Sequence, residues 1–171
     1  GDSIPYGTTL TSDNLAYPCV AARALGMGWH NYGVPSSSIA ELSGSPGLKT
    51  PLSTRYTAMR SDAGVVLVAG GTNDWYYDFT PVGTMADRTV NTFYGALHVL
   101  AAGLLGKYTT TPIAFLTPIK RGADPAAVNA SGSTLKDYCD IIKEVCGYYS
   151  LPVLDMYAES GISPHVAARR A

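Results

Sequence analysis

A parallel β-sheet packed between α-helices is the architecture this sequence predicts, and three observations predict it. Short apolar runs recur at 65–69, 113–116 and 153–154, the first rich in β-branched residues and none long enough for a helix. Two long segments, 85–107 and 134–150, lie between them and repeat their apolar residues with helical period. The runs end in punctuation: Gly70-Gly71-Thr72-Asn73-Asp74 after the first, Thr117-Pro118 after the second. Strands that alternate with helices imply right-handed crossovers and a parallel sheet with helices on both faces. The expected fold class is therefore α/β, a three-layer α/β/α sandwich with a flavodoxin-like sheet.

The first residues, Gly1-Asp2-Ser3-Ile4-Pro5-Tyr6-Gly7, read as a turn that presents the Ser3 hydroxyl at the mouth of a helix. Tyr17 to Leu25 reads as a short helix. Ser12, Asp13 or Asn14 offers its cap, Pro18 is tolerated in the first turn, and Gly26 ends it. Trp29 to Val34 looks like a strand entering a Gly-Pro loop. Ser36-Ser37-Ser38 then offers a cap for a short helix through Leu42, and 43–51 is a loop. Arg55 to Ser61 has room for one or two helical turns.

Val65 to Ala69 has the continuous apolar pattern of a strand buried on both faces. Met85 to Lys107 reads as one long helix, with Val90, Phe93, Tyr94, Leu97, Leu100, Ala101 and Leu104 at helical spacing. Ile113 to Leu116 is the next strand, and 119–132 a polar loop. Thr134 to Ser150 is the second long helix, and Val153-Leu154 a last short strand before Asp155.

At 171 residues the chain suits one domain with a proper core. With 46% apolar and 15% charged residues it is globular. A formal net charge of −1 and the lack of any basic run argue against a nucleic-acid partner. No apolar stretch is long enough to span a bilayer, and no signal peptide is visible. The three cysteines read as buried thiols. Cys139 and Cys146 share a helix face but stand roughly 10 Å apart along its axis, too far to bridge. No Cys/His spacing suggests a metal, and no cofactor is expected.

In a parallel sheet the ligand site lies at the carboxyl ends of the strands. Gly33, Gly71 to Asp74 and Thr117 hold such positions. Ser3 should hold another, so a strand ahead of Gly1 is expected, either trimmed from this sequence or supplied from elsewhere.

Here the chain resembles the SGNH (GDSL-like) hydrolase family. Gly1-Asp2-Ser3-Ile4 matches its first block, Asn31-Tyr32-Gly33-Val34 its second, and Gly71-Thr72-Asn73-Asp74 its third, and the resemblance covers essentially the whole chain. It implies Ser3 as nucleophile, with the Gly33 backbone N–H and the Asn73 side-chain amide as oxyanion donors. Acyl transfer needs such an arrangement, and in a dry site each donor is worth roughly 3 kcal/mol in the transition state. No Gly-x-Ser-x-Gly elbow occurs, which argues against the α/β-hydrolase type.

A serine nucleophile needs a base, usually a histidine oriented by a carboxylate. The family's last block, Asp-x-x-His, is not found here. His98 lies inside a helical apolar run and reads as core, and His30 beside Trp29 as structural. His165 is the only histidine after the last strand, but Ile162 stands three residues before it, and Asp155 is ten residues away. The Asp-x-x-His segment is therefore expected to be missing, like the first strand, and the chain to be part of a longer polypeptide. Its location stays open, with an extracellular one favoured.

The resemblance implies a serine esterase or lipase-like hydrolase acting on a small ester, with an acylated carbohydrate as the preferred substrate class. Trp75-Tyr76-Tyr77 could stack on a sugar, line an acyl pocket, or pack over the sheet end. The alternative is a catalytically inactive module of this fold that binds a glycan or a protein. A nucleotide or flavin protein is a weaker third reading, since no phosphate-cradling glycine motif is present.

Overall fold

The computed structural model describes residues 1–42, 49–122 and 124–169. Ser3–Tyr6 forms a single helical turn (α1). The Asp2 carboxylate caps it by accepting from the Ile4 N–H at 2.9 Å, and Gly7, at φ 83°, ends it. Tyr17–Ala24 follows as α2, and Leu52–Arg55 as α3, which runs on into a tight turn at Tyr56–Ala58. The remaining elements are β1 (Val66–Ala69), α4 (Thr72–Tyr77), α5 (Phe93–Lys107), β2 (Ile113–Leu116), α6 (Leu135–Tyr148), β3 (Val153–Leu154) and α7 (Met156–Glu159).

The strands pair β1-β2-β3, all parallel, with Val66 opposite Ile113 and Phe115 opposite Val153. The chain is thus an α/β sandwich with helical crossovers. Strands adjacent in sequence are adjacent in the sheet, so right-handed crossovers put α5 and α6 on one face, where they pack on each other. Val66, Val68, Ile113 and Phe115 meet Leu97, Leu100, Leu104, Ile142 and Val145 in the buried core. The rings of Phe93 and Tyr138 pack there at 4.7 Å between centroids. Cys19, Cys139 and Cys146 are buried free thiols.

Three expectations need correction. Trp29 to Val34 forms no strand, because it has no ladder partner among the described residues. The 36–42 segment makes turns rather than a helix, and the expected loop at 43–51 lies, for residues 43–48, outside the described residues. The long helix begins at Phe93, not Met85. Thr92 Oγ1 accepts from the Gly95 N–H and so sets its start. Just before it, the Asp87 carboxylate accepts from the Thr84 N–H at 2.9 Å and the Thr92 hydroxyl at 3.0 Å, folding 84–92 into turns. The second long helix runs as expected from its Thr134 cap, where Asp137 completes a capping box.

Candidate active site

Ser3 opens α1, and its half-buried hydroxyl has no hydrogen-bond partner among the described residues. An unengaged hydroxyl on the first turn of a helix is placed to attack a ligand. Beneath it Asp2 is almost fully buried, and burial pushes its carboxyl above the ordinary carboxylate range.

Gly33 braces this turn from behind. A Cβ there would stand 2.6 Å from the Tyr6 nitrogen and 2.9 Å from the Asp2 carbonyl oxygen, so only glycine fits. The Gly33 N–H donates to Asn31 Oδ1 at 2.9 Å, and Asn31 Nδ2 donates to the Pro5 carbonyl at 2.6 Å. The amide that the family resemblance assigns to an oxyanion is therefore engaged by Asn31, and the pair clamps α1.

Three residues on, Ser36 lies in the left-handed region at φ 63° and is exposed. Its backbone N–H has no acceptor among the described residues. Asn73, at the start of α4, is buried and donates through Nδ2 to the Ser37 carbonyl at 2.8 Å. An amide has two N–H donors, so one remains for a ligand. The Gly1 carbonyl accepts from the Val34 N–H at 3.0 Å and from the Ser37 hydroxyl at 3.4 Å. The three sequence blocks around Ser3, Gly33 and Asn73 are thus joined by direct hydrogen bonds.

One residue in this network, Arg55, escaped the sequence reading, as did the long-range role of a second, Asp74. Arg55 donates to the Tyr32 carbonyl at 2.7 Å, the Gly1 carbonyl at 3.0 Å and Ser37 Oγ at 2.8 Å. Asp74 accepts the N–H groups of Ile39 and Ala40 at 2.8–3.1 Å. Complete burial pushes its carboxyl up to about 6 in spite of those bonds. Both act across more than 15 residues of sequence; Asp74 stands in the third sequence block, whereas no local pattern marks Arg55.

None of the histidines touches Ser3. His30 meets Arg60 Nη1 at 2.6 Å, in an exposed cluster with Asp62. His98 is buried, as expected, with Nδ1 3.1 Å from the Tyr149 hydroxyl. His165 is exposed, and its backbone N–H donates to Ser163 Oγ. Thr117 and Asp155, at the ends of β2 and β3, bond each other at 3.1 Å, and Lys143 closes on Asp155 at 3.0 Å. They fasten the sheet end to α6.

Trp75 turns inward, donating its indole N–H to the Ser133 carbonyl at 3.0 Å. Tyr76 is 65% exposed, and Tyr77 stacks on the exposed Phe79 with centroids 5.9 Å apart and planes 12° from parallel. The aromatic triplet thus divides into a packing residue and a surface platform. Among the described residues no group of three or more His, Cys, Asp or Glu converges, and no helix is long and apolar enough to cross a membrane.

The model of a family described as GDSL-like lipase/acylhydrolase matches residues 1–169. A comparison with curated proteins found no match. Among solved structures, a protein from Lactobacillus plantarum is 28% identical with a TM-score of 0.84, over 98% of this chain and 79% of its own. A possible lipase from Chitinophaga pinensis is 21% identical with a TM-score of 0.71, over 99% and 67%. The inhibitor-bound form of an M. smegmatis aryl esterase is 17% identical with a TM-score of 0.65, over 90% and 75%.

Proposed function

Because the chain belongs to the GDSL-like lipase/acylhydrolase family, a family of ester hydrolases, we propose that Ser3 is the nucleophile of an acyl-enzyme esterase. One observation carries the reading: the free Ser3 hydroxyl stands on a turn that the Gly33 loop and, through Ser37, Asn73 hold in place. Ser3 Oγ attacks the ester carbonyl as a general base takes its proton, and the base then hands that proton to the departing alcohol. The tetrahedral oxyanion takes hydrogen bonds from the Ser3 N–H, the second N–H of Asn73 and the open Ser36 N–H, the last in place of Gly33. The alcohol leaves, and water hydrolyses the Ser3 ester.

The proton acceptor on this reading lies outside the three histidines, since Arg60 holds His30, Tyr149 holds His98, and His165 makes no contact with Ser3. For substrate we favour an acylated carbohydrate. The Tyr77–Phe79 platform, one helix length from Asn73, has the flat exposed aromatic face that sugars stack on.

Turnover of p-nitrophenyl acetate, with and without added imidazole, tests the reading against Ser3→Ala as the blank. Ser3-dependent turnover that imidazole raises supports a nucleophile waiting for a base. Equal rates for both proteins in every condition would sink it. The lack of a histidine at Ser3 favours one second reading, a glycan-binding module; Ser3→Ala would then leave affinity for an acetylated oligosaccharide unchanged while neither protein turns it over.

A further inference from the structure

Arg55 ends α3, and every nitrogen of its half-buried guanidinium is engaged. Nε donates to the Thr50 carbonyl at 2.9 Å and Nη1 to the Tyr32 carbonyl at 2.7 Å. Nη2 donates to the Gly1 carbonyl at 3.0 Å and to Ser37 Oγ at 2.8 Å. Among the described residues no carboxylate forms an ion pair with it. Its acceptors are three backbone carbonyls and a hydroxyl, so the group holds chain segments together. A planar fork of N–H donors reaches several fixed acceptors at once, which a lysine ammonium does not.

The segments it joins are those that build the site. Gly1 leads through Asp2 into Ser3, Tyr32 precedes Gly33, and Ser37 follows Ser36 with its open N–H. The Ser37 hydroxyl accepts from Nη2 and donates to the same Gly1 carbonyl at 3.4 Å, closing a small ring of hydrogen bonds. The fork also projects from a fixed support. Leu52, one turn earlier on α3, is buried in the core. Its N–H donates to the Ser38 carbonyl at 2.8 Å, and the Ser53 N–H donates to the Ile39 carbonyl at 3.3 Å. α3 packs on α5 behind it.

We propose that Arg55 is a positioning residue for acyl transfer: it sets where the Ser3 hydroxyl stands relative to the oxyanion donors at Ser36 and Asn73, and does so through Gly1, Tyr32 and Ser37. This role rests on the esterase reading above. Nucleophile and donors come from segments far apart in sequence, so their spacing needs a tie between them. Without the fork the Tyr32 carbonyl has no donor among the described residues, and the Gly1 carbonyl keeps the Val34 N–H and the Ser37 hydroxyl. Ser3 and the loop are then free to drift apart. A misplacement of about 1 Å at reacting groups costs roughly 10²-fold in rate. The cost falls on kcat, because Arg55 makes no contact that a bound ester would lose.

The test measures p-nitrophenyl acetate turnover with imidazole, and amide exchange at Val34, in the 171-residue chain and its variants. In Arg55→Ala, kcat should fall roughly 10²-fold with KM within about twofold. Val145→Ala, a truncation in the buried core, should lose stability and keep kcat. Millimolar guanidinium, far below denaturing levels, should return much of the lost rate to Arg55→Ala. Arg55→Lys keeps the charge without the planar fork and should stay about tenfold down; it carries the comparison if Arg55→Ala does not fold. The Val34 N–H, bonded to the Gly1 carbonyl, should exchange about tenfold faster in either variant. A kcat for both variants within about threefold of the native chain, or a loss in Arg55→Ala that guanidinium leaves unrepaired, would overturn the role. Equal turnover by the native chain and Ser3→Ala would remove the esterase reading instead. Val34 exchange would then decide whether Arg55 ties these segments, and an unchanged rate would overturn that as well.

Discussion

Asn73 Nδ2 donates to the carbonyl oxygen of Ser37 at 2.8 Å, across 36 residues of sequence. The bond fixes the loop carrying Ser36 against the start of α4, and it leaves one amide N–H of Asn73 for an oxyanion. Asn73→Ala removes both functions. Loss of a transition-state donor should lower kcat by roughly 10²–10³, and leaving the Ser37 carbonyl unpaired should cost about 1–3 kcal/mol of stability. Steady-state kinetics beside urea unfolding separates the two effects. A stability loss with unchanged kcat would show that Asn73 only builds the loop.

Gly33 serves the nucleophile by its shape. The atoms a Cβ would meet, Tyr6 N and Cα and the Asp2 carbonyl, all belong to backbone and cannot swing aside. Gly33→Ala should therefore destabilise the fold by about 1–3 kcal/mol, and fluorophosphonate labelling of Ser3 should fall with it because α1 is pushed out of place. Gly147 in α6 is the control, with nothing within 4 Å of an added Cβ. Gly147→Ala should stabilise by about 1 kcal/mol.

The core was legible because short apolar runs and helical periodicity are local signals. β1, β2, β3 and α6 stand within a residue or two of their expected places. Errors fall where a distant side chain decides the backbone. The 36–42 segment has serine caps suited to a helix, but the Ile39 and Ala40 amides are taken by Asp74. The 29–34 segment has strand-like residues and lacks the strand to pair with. At the site, Ser3, Gly33 and Asn73 carry motif signatures, whereas Arg55 and the left-handed Ser36 carry none.

Ser36 offers a test of that unread position. A residue with a Cβ at φ 63° pays about 1–2 kcal/mol relative to glycine. Ser36→Gly should thus raise stability by about 1 kcal/mol, offset in part by the greater freedom of glycine in the unfolded chain. It keeps the backbone N–H, so Ser3-dependent turnover should stay within about twofold. Ser36→Pro removes the N–H and forbids the left-handed backbone, and turnover should collapse. Unchanged turnover in Ser36→Pro would remove Ser36 from the oxyanion site.

Asp74 predicts how the site responds to pH. Burial raises its carboxyl from 3.8 to about 6 in the folded chain, outweighing the Ile39 and Ala40 N–H groups that favour the charged form. The folded state therefore holds a proton that the unfolded chain releases earlier. The Asp74 contribution is fully present below pH 3.8, is lost as pH rises toward 6, and is flat above that. Across that window the loss is about 3 kcal/mol. Asp87 titrates with the opposite sign, because the Thr84 N–H holds its carboxyl low, so the raw profile mixes both trends. The difference between the native chain and Asp74→Asn isolates the buried group. Urea unfolding at intervals from pH 4 to 7 should show that difference shrinking as the pH approaches 6. A difference that stays level through this range would mean that Asp74 is ionised throughout, with its three backbone bonds outweighing burial.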